Sequence, residues 1–133
     1  VSGVDIVTDL LRADAAILAV VPAKQIKAVA LPDDAPLPSL LVRSISEVER
    51  VKLRRGASVR ITERVEVVVR AGSFREVRDL RVLARNACAG RTGDLSGVSA
   101  VSITNAGGGP DLVGPNRSYQ RGQDFRVSFE TPA

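Results

Sequence analysis

Histidine, tryptophan and methionine are absent from this chain, which carries one cysteine and one tyrosine. Without histidine there is no Ser-His-Asp triad, no Cys-His pair and no imidazole ligand for a metal. The single thiol, Cys88, can form neither an internal disulfide nor a thiolate zinc cluster within one subunit. It lies in "LARNACAG", where we expect a small buried side chain near a helix end. Aromatic residues make up only 3% of the chain, so the core must be built from Val, Leu, Ile and Ala. Long hydrophobic runs are missing too. The longest, Ala15 to Ala23, contains Pro22 and is too short to cross a bilayer. The first residues lack the basic, apolar, small-residue order of a secretory signal, and no membrane partner is expected.

What is present describes an ordinary globular chain. Its 133 residues are 44% apolar and 26% charged. That fits one domain over residues 1–133, large enough to bury roughly two-thirds of its unfolded surface. The 19 Lys and Arg outnumber the 15 Asp and Glu, for a net charge of +4. Most of the basic residues are Arg, which serves protein interfaces as readily as nucleic acid. A nucleic-acid reading therefore needs a patch and not only a total.

Periodicity lays out the elements. Apolar residues from Val4 to Val21 recur at three- and four-residue spacings, predicting a helix from about Asp5 to Val20 that ends before Pro22. A short strand follows in "KQIKAVAL", then a proline-rich connector, "PDDAPLPS". The run "LLVRSISEVE", Leu40 to Glu49, alternates as a strand, with Leu41, Arg43, Ile45 and Glu47 on one side and Leu40, Val42 and Ser44 on the other. A basic turn, "RVKLRRGAS", leads to a longer alternating strand. There Val59, Ile61, Val65, Val67 and Val69 share one face, with Glu63 the exception. In "GSFREVRDLRVLARNACAG" the period becomes helical. Ser73 is the candidate N-cap with Glu76 three residues on, and Gly90 is the stop. "RTGDLSG" reads as a turn, Val98 to Thr104 as a modest strand, and the final run as a strand with Gln123, Phe125, Val127 and Phe129 on its inner face. The predicted fold class is α+β, an antiparallel sheet of about four to five strands with two helices on one face.

The segment "TNAGGGPDLVGPNRSYQ" invites a phosphate-binding reading and fails it. Gly109 and Gly114 have P-loop separation, but Pro115 and Asn116 stand where Lys and a hydroxyl residue are needed. A strand follows the segment, whereas a dinucleotide fingerprint opens a helix. We expect a flexible loop over residues 104–118, serving as an arm or simply as slack. The carboxylates, Asp33 and Asp34 in the connector and Glu63 on its strand, are the remaining acid-base candidates, and no spacing pairs them. Because an unpartnered buried carboxylate is costly, Glu63 is expected to meet a neighbouring Arg or a subunit contact. The basic features are Lys52, Arg54 and Arg55 in the turn, and a helix stripe of Arg75, Arg78, Arg81 and Arg85. Solvated surface, Arg–carboxylate contacts between subunits, and nucleic-acid binding all remain open for these. Base stacking is poorly supplied, with Tyr119 as the only tyrosine and no tryptophan. The residues point to no enzyme, cofactor or metal.

In order, "LLRADAAILAVV", "ALPDDAPLPSLLVRSIS", "RITERVEVVVRAGSFREVRDLRVLARNACAG" and the closing "YQRGQDFRVSF" resemble the tail terminator, or tail completion, proteins of long-tailed bacteriophages, over Asp5 to Phe129. The resemblance implies an α+β subunit that assembles into a ring, typically a hexamer, on the head-proximal end of the tail tube. Such a ring stops tube polymerisation and offers the surface to which the head joins. The implied partners are further copies of the chain, the tail tube protein and head-neck connector proteins, with DNA only as cargo through the ring. The implied place is the tail-neck junction of a virion assembled in the host cytoplasm. A basic nucleic-acid-binding module and another neck or tail-tube component are the competing readings. No family motif assigns contact residues, so local chemistry nominates Lys52, Arg54, Arg55, Arg78, Arg81, Arg85, Gly107, Gly108, Gly109, Asp111 and Leu112 as subunit or partner contacts.

Overall fold

The computed structural model of the chain describes residues 2–50, 56 and 58–132. It is a mixed α+β fold in which, among the described residues, three α-helices accompany a curled sheet of seven strands, not the expected two helices and four to five strands.

The first helix, α1 (Gly3–Ala13), starts at a capping box. Ser2 Oγ accepts from the Asp5 N–H at 3.4 Å, while Asp5 Oδ2 accepts from the Ser2 N–H at 2.9 Å. Its apolar stripe of Val4, Ile6, Val7 and Leu11 is buried. The expected single helix to Val20 is broken at Asp14, whose extended backbone (ψ 119°) ends α1. The Asp14 carboxylate then accepts from the Ile17 N–H at 3.0 Å and starts α2 (Ala15–Leu18). Aspartate prefers such a capping position to a helix interior, and here that preference wins over periodicity.

A 3₁₀ turn (Ala23–Gln25) leads to β1 (Ile26–Ala28), which runs parallel to β2 (Ser39–Glu49). The sheet is therefore mixed, not wholly antiparallel. β2 turns back into β3 (Ser58–Ala71) as an antiparallel hairpin, as its alternation predicts. A bulge between Ser44 and Ser46 shifts the phase, so Glu47 opposite Glu63 lies on the same side as Val42, not with Leu41 as strict alternation would have it. After β3 comes α3 (Phe74–Cys88), capped by Ser73 Oγ accepting from the Glu76 N–H at 3.2 Å.

The turn expected at "RTGDLSG" is instead a hairpin. β4 (Thr92–Leu95) pairs with β5 (Val98–Gly108) through Ser96 and Gly97, whose φ values of 53° and 75° are those of a tight two-residue connection. β5 continues past Thr104 to Gly108, and β6 (Leu112–Val113) pairs briefly with β7 (Tyr119–Pro132). The strand order is β1-β2-β3-β7-β5-β4, with β6 beside β7. On the helix side, Val65, Val67 and Val69 of β3 and Gln123, Phe125, Val127 and Phe129 of β7 are buried with the α1 and α3 stripes. Burying each Phe contributes roughly 1.5–3 kcal/mol, which gives the two phenylalanines of β7 a large share in a core otherwise made of small aliphatics.

Candidate functional site

Glu63 illustrates how the fold disposes of a polar residue that the sequence marks as misplaced. It is buried under the start of α1, and its Oε1 accepts from the Gly3 N–H at 3.0 Å. The expected arginine partner is replaced by a helix N-terminus, whose free N–H groups and positive dipole end suit a carboxylate. Its Oε2 has no hydrogen-bond partner among the described residues. With 1% of its surface exposed, Glu63 faces no substrate. The connector carboxylates differ. Asp34 lines an open cleft with Lys24 and Lys27, and the connector is held by Arg70 Nη1 to Pro32 O (3.0 Å) and Asn116 Nδ2 to Asp33 O (3.0 Å).

The richest polar cluster lies where α3 meets the end of β5. Gly107, at φ +101°, sits at a bulge in β5 that only a glycine enters without strain. Its N–H donates to Asn105 Oδ1 at 2.8 Å, and its carbonyl accepts from Gln123 Nε2 at 3.1 Å. Gln123 also donates to Asn105 Oδ1 (2.8 Å) and to Asp124 O (3.0 Å), and its Oε1 accepts from Arg81 Nη1 at 2.8 Å. A fully buried glutamine thus has every polar atom engaged, and it fixes the Arg81 guanidinium against the sheet. Gly109 extends the pairing through its N–H to Gly122 O (2.9 Å), and its carbonyl accepts from Arg121 Nε at 2.7 Å. Asp111 faces Arg78 at 3.4 Å and Arg121 at 3.9 Å.

The structure brings six of the nominated residues together here: Arg78, Arg81, Gly107, Gly108, Gly109 and Asp111. Arg85 lies one helical turn along α3, close enough to bear on the Arg81 charge, and Leu112 in β6 is half exposed. Lys52, Arg54 and Arg55 lie outside the described residues. Arg121, Gln123 and Asn105 complete the cluster and were not foreseen. The available signal was Gln123, a polar residue on an otherwise apolar strand face. Burial, then the Arg121 and Arg85 charges, push the Arg81 pKa down from its ordinary value, with Asp111 opposing them. Among the described residues no His, Cys, Asp or Glu group is placed to hold a metal. The cluster is rich in donors and has no nucleophile poised beside a base, so the chemistry it offers is recognition of an acceptor.

The family model described as Tail completion protein gp17 matches residues 6–130 of this chain. No curated protein matches it in sequence. Among solved structures, a chain of the virion of native gene transfer agent (GTA) particle superposes with a TM-score of 0.70 at 17% identity, covering 98% of this chain and 96% of that one. A second structure, whose name states no function, reaches a TM-score of 0.55 at 14% identity, covering 97% and 91%. Identities this low establish a shared fold.

Proposed function

The chain belongs to the tail completion protein family, a family of structural virion tail proteins, and we propose that it forms a ring capping the head-proximal end of a tail tube. The ring, a hexamer, ends tube polymerisation and provides the surface to which the head joins. Its partners are other copies of the chain, the tube protein and the head-neck connector proteins, with DNA passing through as cargo. It acts at the tail-neck junction of a phage or phage-derived particle assembled in the host cytoplasm. In this reading residues 1–133 work as one domain and residues 104–118 as the docking arm.

The family match carries this reading, because residues 6–130 take in α3 and the whole sheet but for the last two residues of β7. The fold is compatible with it. β1 covers only Leu40–Val42, so from Arg43 to Glu49 the outer edge of β2 has no strand beside it among the described residues, and Ile45 and Val48 are exposed there. β4 is exposed at the opposite edge. Open edges invite pairing with another chain, and a head-to-tail contact repeated by rotation closes a ring.

Native mass spectrometry of the protein, alone and mixed with the tube protein of the same particle, tests the proposal. A closed ring that appears or tightens with the tube is expected. A chain that stays monomeric and leaves tube length unchanged in electron micrographs would refute it.

A further inference from the structure

Among the described residues, four guanidiniums on one flank have a single carboxylate in ion-pair contact. Arg78 and Arg121 share Asp111, whereas Arg81 and Arg85 have no acidic partner within ion-pair distance among the described residues. Arg81 and Arg121 converge. A Cβ on Gly108 would lie 3.1 Å from Arg81 Nη1 and 3.3 Å from Arg121 Nη2, so the missing side chain leaves room for both cations over the same piece of backbone. Arg81 Nε is buried with no hydrogen-bond partner among the described residues. Two guanidiniums drawn together and partly desolvated repel one another, and an unpaired buried donor costs about 1–3 kcal/mol. An acceptor anion supplied from outside offsets the repulsion between the two cations.

The surroundings say what carries that anion. Val82 follows Arg78 by four residues and precedes Arg85 by three, so it lies in the same stripe of α3, and it is exposed. Val113, which pairs with Tyr119 on the α3 side of β7, is 75% exposed. Cations interleaved with exposed aliphatic side chains suit a protein segment better than a phosphate backbone, which offers nothing apolar to cover them. Stacking is not on offer either, since Phe74 and Tyr119 are packed on one another at the start of α3, with ring centroids 4.2 Å apart.

We propose that this flank is a docking site for an acidic segment of another protein, with a carboxylate held across Arg81 and Arg121 and aliphatic residues laid against Val82 and Val113. It deepens the assembly reading by naming the chemistry of the partner, and it rests on that reading for the partner's place in a tail. The probe is a fluorescent synthetic peptide of alternating glutamate and leucine, followed by anisotropy at low salt, with a duplex DNA fragment run in parallel. Saturable peptide binding is expected, weakened at least about tenfold in R81Q/R121Q and in V113D. V113D changes an exposed position and keeps the fold testable should the arginine pair prove necessary for folding. R75Q, outside the cluster, should bind as the parent does. Absence of saturable peptide binding overturns the site, as does equal binding by V113D. Tighter binding of the duplex through the same residues overturns it in favour of nucleic acid. Native mass spectrometry of the same variants separates this from the ring reading. Rings that form without peptide binding leave the ring and remove the site, whereas peptide binding by a chain that never forms rings leaves the site and removes the ring.

Discussion

Gly3→Ala places two opposing effects at one position, and the structure decides between them. Alanine is a better helix former than glycine by at most about 1 kcal/mol, and Gly3 is the first residue of α1. The added methyl would stand 3.0 Å from Val65 Cγ2 and 3.1 Å from Glu63 Cδ and Oε1. Val65 is fully buried in β3 and has nowhere to go. If Glu63 gives way, its 3.0 Å bond from the Gly3 N–H lengthens, and both buried groups lose satisfaction at about 1–3 kcal/mol. If α1 lifts, its stripe is partly uncovered at a similar overpacking cost, about 1–3 kcal/mol. The net expectation is a loss of about 2 kcal/mol, which for a chain of this size lowers the melting temperature by about 7 °C. Urea and thermal unfolding followed by circular dichroism read it directly. Removing the carboxylate in Glu63→Ala should shrink the cost of Gly3→Ala, and the double-mutant cycle isolates the coupling. A Gly3→Ala variant as stable as the parent would mean that the start of α1 is not clamped to β3 as described.

Gln123→Leu keeps the bulk of a buried residue but deprives Arg81 Nη1 and the Gly107 carbonyl of their partners, and should cost about 2–3 kcal/mol in urea unfolding. Unchanged stability would dissolve the network. Val29 holds φ +74° with 76% of its surface exposed and its N–H bonded to Val42 O at 2.8 Å; Val29→Gly should stabilise by about 0.5–1 kcal/mol, because left-handed strain outweighs the entropy glycine adds to the unfolded chain. A lower melting temperature would contradict that. Burial, opposed by Arg91 and reinforced by Asp14, pushes the Cys88 thiol up from 9.0 to about 12. Its contribution to stability is complete below pH 9 and is lost as the pH rises towards 12, since the unfolded chain ionises first. Cys88→Ala should flatten that alkaline fall, and the native thiol should resist alkylation at pH 8. Rapid alkylation of the folded protein would refute the burial argument.

The elements most legible in the sequence are those in which local pattern and tertiary burial agree. β3 and β7 alternate because one face is buried, and α3 has both its stripe and its Ser73 cap. Asp14 was hidden by periodicity: the apolar residues on both sides keep helical spacing, while a carboxylate one residue before α2 quietly changes the backbone. β4 was missed because its four residues are largely exposed and carry no alternation. The Ser96-Gly97 pair was the readable sign, a two-residue connection that accommodates positive φ. The parallel placement of β1 and the position of β7 between β3 and β5 depend on contacts far apart in the chain, which no local pattern encodes. The same holds for the candidate site. The arginine stripe and the glycines were visible separately, but nothing in either segment says that Gln123 would join them. Glu63 was marked as anomalous by its strand face, yet its partner lies 60 residues earlier.

The place of β7 carries a consequence for the making of the protein. Among the described residues it is the last strand in sequence, yet it lies between β3 and β5 and also supports β6 and α3. While the ribosome is still translating the earlier elements, β3 has one neighbour, β5 has only β4, and the inner aliphatic surface lacks Phe125 and Phe129. Such long-range pairing folds slowly and leaves sticky intermediates. A nascent chain released before Tyr119 would keep two raw strand borders and half a core, making it a client for chaperones and proteases. Assembly-competent surfaces therefore become available only once the final strand has been threaded into the middle of the sheet, and truncated products should be cleared before they can join a growing particle.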